Sequence, residues 1–304
     1  IMEDLTIRSF KLPSFTNLDS QLAYINPNFE RAVVSHIIGN YMKNSPYPLY
    51  LAIHGPKGEG KTFQTIRTCS KYNIAVYYIS GAELCGSYEK DSITAIEKNL
   101  DDAIEEYKKS NIVSVFVIDD FHLSIASISA GVSRTVNSQI LTGWLMNLAD
   151  RAKSSTQPRI PFILLGNDFS NLYDPLTRDG RMDFFEWRPD ESTKKKIICR
   201  HFEDYIPRDN REFSRLIDAN INQPISFFAE IKNDMFKEII SEQIVSSHEY
   251  DALRLIQNVD SSHPDTVLKK RRDLVAMIEE QINSRLISLE AKETIHEKRK
   301  GAVL

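Results

Sequence analysis

Short apolar runs and longer amphipathic segments alternate along the first two thirds of the chain. Runs of consecutive apolar residues predict buried strands at Leu49–Ile53, Ala75–Ile79, Val113–Ile118 and Phe162–Leu165. Apolar residues at helical spacing predict helices at Phe29–Met42, Ile93–Tyr107 and Thr135–Ala149. Strands that alternate with helices are typical of βαβ units. The expected fold class is therefore α/β, with a parallel sheet between two layers of helices.

The pattern changes after Trp187, where apolar residues follow helical spacing almost throughout. The longest helices predicted in this part are Ser226–Ile244 and Val267–Ile295. Prolines that break helices stand between the predicted segments, at Pro207, Pro224 and Pro264. The last third of the chain is therefore expected to be all-helical.

These patterns divide the chain into three parts, with a domain boundary near Pro189. Residues 1–27 show little periodicity and are expected to form a short N-terminal arm. Residues 28–189 form the expected α/β domain. Residues 190–304 form the expected helical domain, including the helices at the C-terminus.

A glycine-rich run lies between the first predicted strand and a helical segment that starts at Phe63. It reads Gly55-Pro56-Lys57-Gly58-Glu59-Gly60-Lys61-Thr62, the G-x-x-x-x-G-K-T pattern of a P-loop. Glycines let the backbone turn its N–H groups toward phosphate oxygens, and the following helix directs its positive dipole end at the same anion. Lys61 would reach the β- and γ-phosphates, and the Thr62 hydroxyl would bind Mg²⁺. We expect this run and Phe63 to bind ATP or ADP; the alternative is an ordinary glycine-rich turn.

Two carboxylates close the most apolar of the predicted strands. Asp119 and Asp120 follow Val115-Phe116-Val117-Ile118, as in a Walker B motif. Ligands bind at the carboxyl ends of parallel strands, which is where the P-loop also lies. We expect Asp119 to hold Mg²⁺ and Asp120 to orient the attacking water.

Polar residues after the next strand are further candidates for the same site. Asn167 closes the strand and could hydrogen-bond the γ-phosphate or the attacking water, although a turn-forming asparagine is the alternative. Arg178 and Arg181 follow shortly after it. Arginine is always charged and suits a phosphate in transition, so one or both could reach a neighbouring subunit's nucleotide. Surface ion pairs are the alternative.

Composition narrows the class of protein. The 304 residues carry a formal net charge of −4, which argues against a protein built to coat nucleic acid. The three cysteines lack disulfide or zinc spacing, so a reducing compartment is expected. No apolar run is long enough to cross a membrane, and the first residues do not resemble a signal peptide. Mg²⁺ with nucleotide is the only cofactor expected.

Three segments of the chain resemble Rubisco activase of the green-plant and cyanobacterial type, within the AAA+ ATPases. The first joins the P-loop and Phe63-Gln64 to Ile79-Ser80-Gly81-Ala82-Glu83-Leu84. The second runs from Thr135 to Asp150. The third and most specific runs from Pro158 to Met182 and contains Gly166-Asn167-Asp168-Phe169-Ser170. The similarity covers roughly residues 24–240.

The resemblance implies a ring, usually a hexamer, that couples ATP hydrolysis to remodelling of a protein client. For this family the client is inhibited Rubisco, and its remodelling releases tight-binding sugar phosphates from it. By position, the residues above take the family's nucleotide roles, and the sensor-2 position falls on Lys232. The resemblance also implies that the helical domain is a lid, and that the compartment is the cytoplasm or a plastid stroma.

Departures from the family pattern leave the client open. The family's Walker B ends in Asn-Asp, whereas this chain has two aspartates there. The segments compared with pore loops, Leu84–Glu89 and Phe121–Gly131, differ from the family's. An AAA+ protein of the same lineage with another client is one alternative, and a scaffold that barely hydrolyses ATP is another. A nucleic-acid-handling protein is a third, since Lys194–Lys196 and Lys269–Arg272 are basic runs.

Overall fold

The structure is a computed structural model that describes residues 10–12, 24–84, 89–121, 136–154, 159–170, 172, 174–178 and 180–301. The chain divides into two compact units, Ile1–Pro189 and Asp190–Leu304. Most of the expected N-terminal arm lies outside the described residues, as do residues 85–88 and 122–131 of the segments compared with pore loops.

The first unit contains a mostly parallel six-stranded sheet, in the spatial order β1-β3-β4-β5-β2-β6. Only the pairing of β1 with β3 is antiparallel. The strands are β1 (Phe10–Leu12), β2 (Tyr50–His54), β3 (Ala75–Ser80), β4 (Ser114–Asp119), β5 (Phe162–Gly166) and β6 (Met182–Glu186). The α/β prediction is therefore confirmed.

Two strands were not predicted, and both lie at the edges of the sheet. β6 reads Met-Asp-Phe-Phe-Glu, and only Met182 in it is buried. An edge strand of this kind has neither the continuous apolar run nor the strict alternation that a sequence pattern can detect. β1 at the other edge has three residues, too few to show a period.

Helices flank this sheet, and the first of them has a side-chain cap at its amino end. They are α1 (Pro27–Tyr41), α2 (Lys61–Lys71), α3 (Gly81–Leu84), α4 (Glu89–Ser110), α5 (Val136–Ser154) and α6 (Asp174–Thr177). The Asn26 side chain caps α1 by accepting hydrogen bonds from the backbone N–H groups of Asn28 and Phe29. Gln64 of α2 holds the chain just before α1, because its amide donates to Tyr24 O and accepts from Asn26 N.

Aromatic rings cross four neighbouring strands of the sheet on one face. Phe116 stacks on Tyr77 at 4.8 Å and on Phe162 at 4.9 Å. Phe162 meets Tyr50 edge-on at 5.6 Å. All four side chains are buried, and the Tyr50 hydroxyl donates to the carbonyl of Leu145 on α5 at 2.7 Å. These contacts fix the register of the strands, because a slip by one residue would move every ring to the other face.

The second unit is helical, with a core of its own. Its helices are α7 (Glu191–His201), α8 (Arg211–Ala219), α9 (Ile225–Ser247), α10 (Ala252–Ser261), α11 (Pro264–Leu268) and α12 (Leu274–Gly301). The core is built on α9, whose buried face includes Phe228, Ile231, Met235 and Ile239.

The single helix predicted at Val267–Ile295 is wrong: residues 269–273 separate α11 from α12. Four consecutive basic residues, Lys269 to Arg272, fall in this break. Arg271 is held there by Glu242 of α9 and by Asp273. Buried leucines on both sides of the break kept the apolar pattern intact, which is why the spacing did not reveal it.

A buried histidine links α1 to the sheet. His36 Nε2 donates to Phe162 O at 3.2 Å, and only 2% of the residue is exposed. Burial lowers the pKa of His36 to about 4. The unfolded chain, with an ordinary histidine pKa near 6.5, therefore binds more protons between these two values.

We expect acid to destabilise the first unit through His36. Its contribution is fully present above about pH 6.5 and is lost as the pH falls toward 4, by about 2 kcal/mol between pH 7 and pH 5. The free energy of unfolding of His36→Gln should fall less steeply over this range in denaturant titrations. Replacing the exposed His248 with asparagine should leave the wild-type slope, and an equal slope in His36→Gln would contradict the assignment.

Candidate nucleotide-binding site

The glycine-rich run forms a tight loop between β2 and α2. Gly55, Gly58 and Gly60 have positive φ angles of 149°, 79° and 79°, which glycine adopts at low cost. Gly60 is the N-cap of α2, so the loop ends at the start of a helix. The amino end of an eleven-residue helix and its free N–H groups suit an anion at this point.

Trp187 holds the first half of the loop at both of its ends. Its backbone N–H donates to His54 O at 2.7 Å, and its indole Nε1–H donates to Glu59 O at 2.7 Å. A Cβ on Gly55 would lie only 2.0 Å from Trp187 O, so this close approach requires glycine. Trp187 is 4% exposed and packs edge-on against Phe29. No sequence motif signals its two hydrogen bonds.

Lys61 connects the loop to the end of β5. Its ammonium donates to Gly55 O and Pro56 O, both at 2.8 Å, and to Asn167 Oδ1 at 3.2 Å. Burial lowers the pKa of Lys61, an effect opposed by nearby carboxylates including Asp119. The structure thus brings together two residues that are 106 positions apart in the sequence.

Asp119, at the end of β4, accepts three hydrogen bonds. Thr62 Oγ1 and the Tyr78 hydroxyl both donate to its Oδ2, each at 2.7 Å. The backbone N–H of Asp120 donates to Oδ1 at 2.9 Å. A hydroxyl and a carboxylate are the oxygen ligands that Mg²⁺ takes, so these residues fit that ion. No sequence motif includes Tyr78, which stands two residues before the strand position opposite Asp119.

Asp120 differs from its neighbour in exposure and backbone conformation. Its side chain is exposed, and its φ is 51°, in the left-handed region that few residues other than glycine adopt. The turn packs closely on the start of α3, where a Cβ on Gly81 would lie 2.4 Å from Asp120 O. Uncommon backbone conformations of this kind concentrate at functional sites.

The two candidate arginines are both near the surface of the first unit. Arg178 is exposed. Arg181 donates from Nε and Nη2 to the Asp150 carboxylate, at 3.1 and 2.8 Å, and from Nη1 to Pro175 O. This bidentate pair lowers the pKa of Asp150. Within one chain, Arg181 therefore forms the ion pair that the sequence analysis kept as its alternative.

Lys232, the candidate sensor-2 residue, lies on α9 in the second unit. Its ammonium stands 4.9 Å from the centre of the Tyr205 ring and donates to His201 O at 3.4 Å. These contacts belong to the second unit alone, and the sensor-2 role of Lys232 stays a prediction.

The chain is similar in sequence to several known proteins. Residues 51–190 match the family described as ATPase family associated with various cellular activities (AAA). Two cyanobacterial relatives are named ribulose bisphosphate carboxylase/oxygenase activase: one from Anabaena sp. is 35% identical over 251 residues, and one from Nostoc sp. is 34% identical over 252. Residues 51–190 are thus similar to an AAA domain, and the chain is similar to Rubisco activase. The chloroplastic activase of Chlamydomonas reinhardtii is 32% identical over 246 residues.

The matched region covers a larger share of this chain than of each relative. It covers 78% of this chain but only 60% of the Anabaena and Nostoc relatives. For the Chlamydomonas relative the two shares are 77% and 59%. The chain thus spans about 60% of the length of the curated relatives that it matches.

Two other kinds of site have no candidate in the part of the chain that the structure describes. Among the described residues, no helix is both long and apolar enough to span a bilayer. In the same part of the chain, no cluster of three or more His, Cys, Asp or Glu side chains is placed to hold a metal ion.

We expect Gly55→Ala to damage the loop. The added methyl would meet the Trp187 carbonyl in a backbone conformation that already disfavours alanine, at a cost of about 2–4 kcal/mol. Thermal unfolding should therefore occur at a lower temperature, and affinity for a fluorescent ADP analogue should fall. The matched control is Gly143→Ala on α5, where an added Cβ meets nothing within 4 Å. Equal unfolding temperatures and affinities for the two variants would contradict the close approach.

Proposed function

We propose that this chain hydrolyses ATP with bound Mg²⁺ and uses the energy to remodel a protein client. The observation that carries the proposal is the joining of three sequence motifs by two hydrogen bonds. Lys61 of the P-loop donates to Asn167 after β5, and Thr62 donates to Asp119 at the end of β4. The residues proposed to bind the nucleotide, to hold the metal and to orient the water thus lie together at one edge of a parallel sheet.

Each residue has a task that its position supports. Backbone N–H groups of residues 55–62 bind the phosphates, and Lys61 stabilises the charge that develops as the γ-phosphoryl is transferred. Thr62 and Asp119 hold Mg²⁺, which when bound neutralises phosphate charge. Asp120, exposed at the strand end, orients the attacking water. Asn167 positions the γ-phosphate or that water.

We also propose that the site is shared between subunits of a ring, in the family's usual form a hexamer. Arg178 or Arg181 would reach the nucleotide of a neighbouring subunit. Arg181 supports this role because its guanidinium already binds a carboxylate in a bidentate manner, and phosphate oxygens offer the same geometry. Residues 28–189 would be the AAA+ domain, residues 190–304 the lid with Lys232 as sensor 2, and residues 1–27 an arm.

The client we propose is Rubisco. Its remodelling would release inhibitory sugar phosphates, in the cytoplasm or in a plastid stroma. The names of the relatives support this choice. A client other than Rubisco is the second candidate, and the altered sequence at Leu84–Glu89 and Phe121–Gly131 favours it.

Nucleic acid is a poorer candidate partner. Several residues of the two basic runs, Lys194–Lys196 and Lys269–Arg272, are already paired with acidic residues. The pairs are Lys195 with Asp218, Lys269 with Asp265, and Arg271 with Glu242 and Asp273. Lys194 is buried, with 7% of its surface exposed. Four of the seven residues in these runs are therefore paired or buried, which reduces the positive charge that they offer to a phosphate backbone.

We expect Asp120→Asn to bind ATP normally and to turn it over at least about 100-fold more slowly, because a neutral amide cannot polarise the attacking water. The wild type should restore carboxylation by the host's sugar-phosphate-inhibited Rubisco, and Asp120→Asn should not. Asp101→Asn, the same change on an exposed position of α4, should behave as wild type in both assays.

Two results would contradict parts of this proposal. Unchanged ATP turnover in Asp120→Asn would remove the water-orienting role. ATP turnover without any Rubisco reactivation would favour the other client, which affinity capture on the ATP-trapped variant from host lysate would identify.

We expect the arginines to act between subunits. Arg181→Ala should lower ATP turnover by about 10³-fold, as loss of an arginine finger does. An equimolar mixture of Arg181→Ala and Asp120→Asn should recover about a quarter of wild-type turnover, since that share of interfaces in a mixed ring joins two intact residues. The same pair of experiments with Arg178→Ala assigns the role between the two arginines.

Asp150→Ala is the control for the ion pair. It breaks the contact with Arg181 but leaves the guanidinium in place, so ATP turnover should stay near that of the wild type. If Asp150→Ala is as impaired as Arg181→Ala, and mixing restores nothing, the arginine serves the fold of its own subunit.

A further inference from the structure

Tyr78 lies next to the candidate magnesium site although no motif includes it. β3 and β4 are parallel neighbours in which Tyr78 pairs with Val117, and Ser80 pairs with Asp119. Tyr78 and Asp119 are therefore diagonal neighbours on one face of the sheet, a separation that a tyrosine side chain can span. The Tyr78 hydroxyl donates to Asp119 Oδ2 at 2.7 Å.

Both oxygens of the Asp119 carboxylate are thereby oriented. Oδ1 accepts from the Asp120 backbone N–H, and Oδ2 accepts from Thr62 and Tyr78. Thr62 has a second role at this site, because its hydroxyl oxygen must also offer a lone pair to the metal. Tyr78 comes from a strand of the sheet and has no such second task at this carboxylate.

We propose that Tyr78 is a positioning residue for metal binding by Asp119, an inference that rests on the proposed magnesium site. Its phenol holds the carboxylate in the rotamer that presents the remaining lone pairs to the ion. Because the phenol is neutral, it orients Asp119 without competing with the cation for its charge. Partners of this kind, one step removed from the metal, set both ligand orientation and metal affinity.

The preceding residue provides a matched control. Tyr77 lies on the same strand but faces the other side of the sheet, where it is 5% exposed and stacks on Phe116. Its hydroxyl makes a longer contact of 3.4 Å with Glu106, away from Asp119. Tyr77→Phe and Tyr78→Phe thus each remove one oxygen atom from the same strand, and only the second oxygen touches the site.

The test measures Mn²⁺ binding, because this ion takes the same oxygen ligands as Mg²⁺ and can be followed by electron paramagnetic resonance. Wild type, Tyr77→Phe and Tyr78→Phe, each as the full chain with saturating ADP, are titrated with Mn²⁺. We expect about tenfold weaker Mn²⁺ affinity in Tyr78→Phe and wild-type affinity in Tyr77→Phe. Affinity for fluorescent ADP in the presence of EDTA should be the same in all three, as should the unfolding temperatures of wild type and Tyr78→Phe.

Each other outcome has a definite meaning. Wild-type Mn²⁺ affinity in Tyr78→Phe would overturn the inference. So would an equal loss in both variants, or a fall in metal-free ADP affinity as large as the fall in Mn²⁺ affinity, because each indicates a general role in packing. If wild type itself fails to bind Mn²⁺ with ADP, the proposed magnesium site is wrong, and the inference fails with it.

Discussion

Backbone hydrogen bonds between parallel strands hold the carboxyl ends of β2, β4 and β5 at one edge of the sheet. In this register His54 lies opposite Gly166, and Ile118 lies opposite Leu164. The P-loop begins one residue after His54, the acidic pair one residue after Ile118, and Asn167 directly follows Gly166. The hydrogen-bonded strands therefore bring these segments together, and the side chains need to span only the short distances that remain between them.

The aromatic row across β3, β4, β5 and β2 supports this ladder from within the core. Ring contacts between neighbouring strands add side-chain interactions to the backbone bonds, and they do so only in one register. The packing of the core and the geometry of the site are consequently coupled. A substitution at Phe116 or Phe162 would change the geometry of the strand ends, although neither residue belongs to a nucleotide motif.

The parts of this molecule that sequence could predict are those with a strong local pattern. Buried central strands are continuous apolar runs, so they were predicted correctly in type and nearly in extent. The glycine-rich run was predicted to lie between a strand and a helix, and it lies between β2 and α2. The edge strand Met182–Glu186 was missed because it has neither a continuous apolar run nor strict alternation. The break at residues 269–273 was missed because buried leucines on both sides of it keep the helical spacing intact. Tyr78 and the Trp187 hydrogen bonds were beyond reach for another reason: they depend on which strand lies beside which, information that a one-dimensional pattern does not hold.

The two hydrogen bonds of Trp187 also have an entropic consequence. They tie His54 and Glu59, the residues on either side of the first half of the loop, to a single residue beyond β6. The few residues between them form a short closed cycle with little freedom left to lose. Most of the conformational entropy of ordering this segment is therefore spent when the domain folds. A phosphate group that meets the loop finds its N–H groups already arranged, so less of the binding energy goes into ordering the backbone.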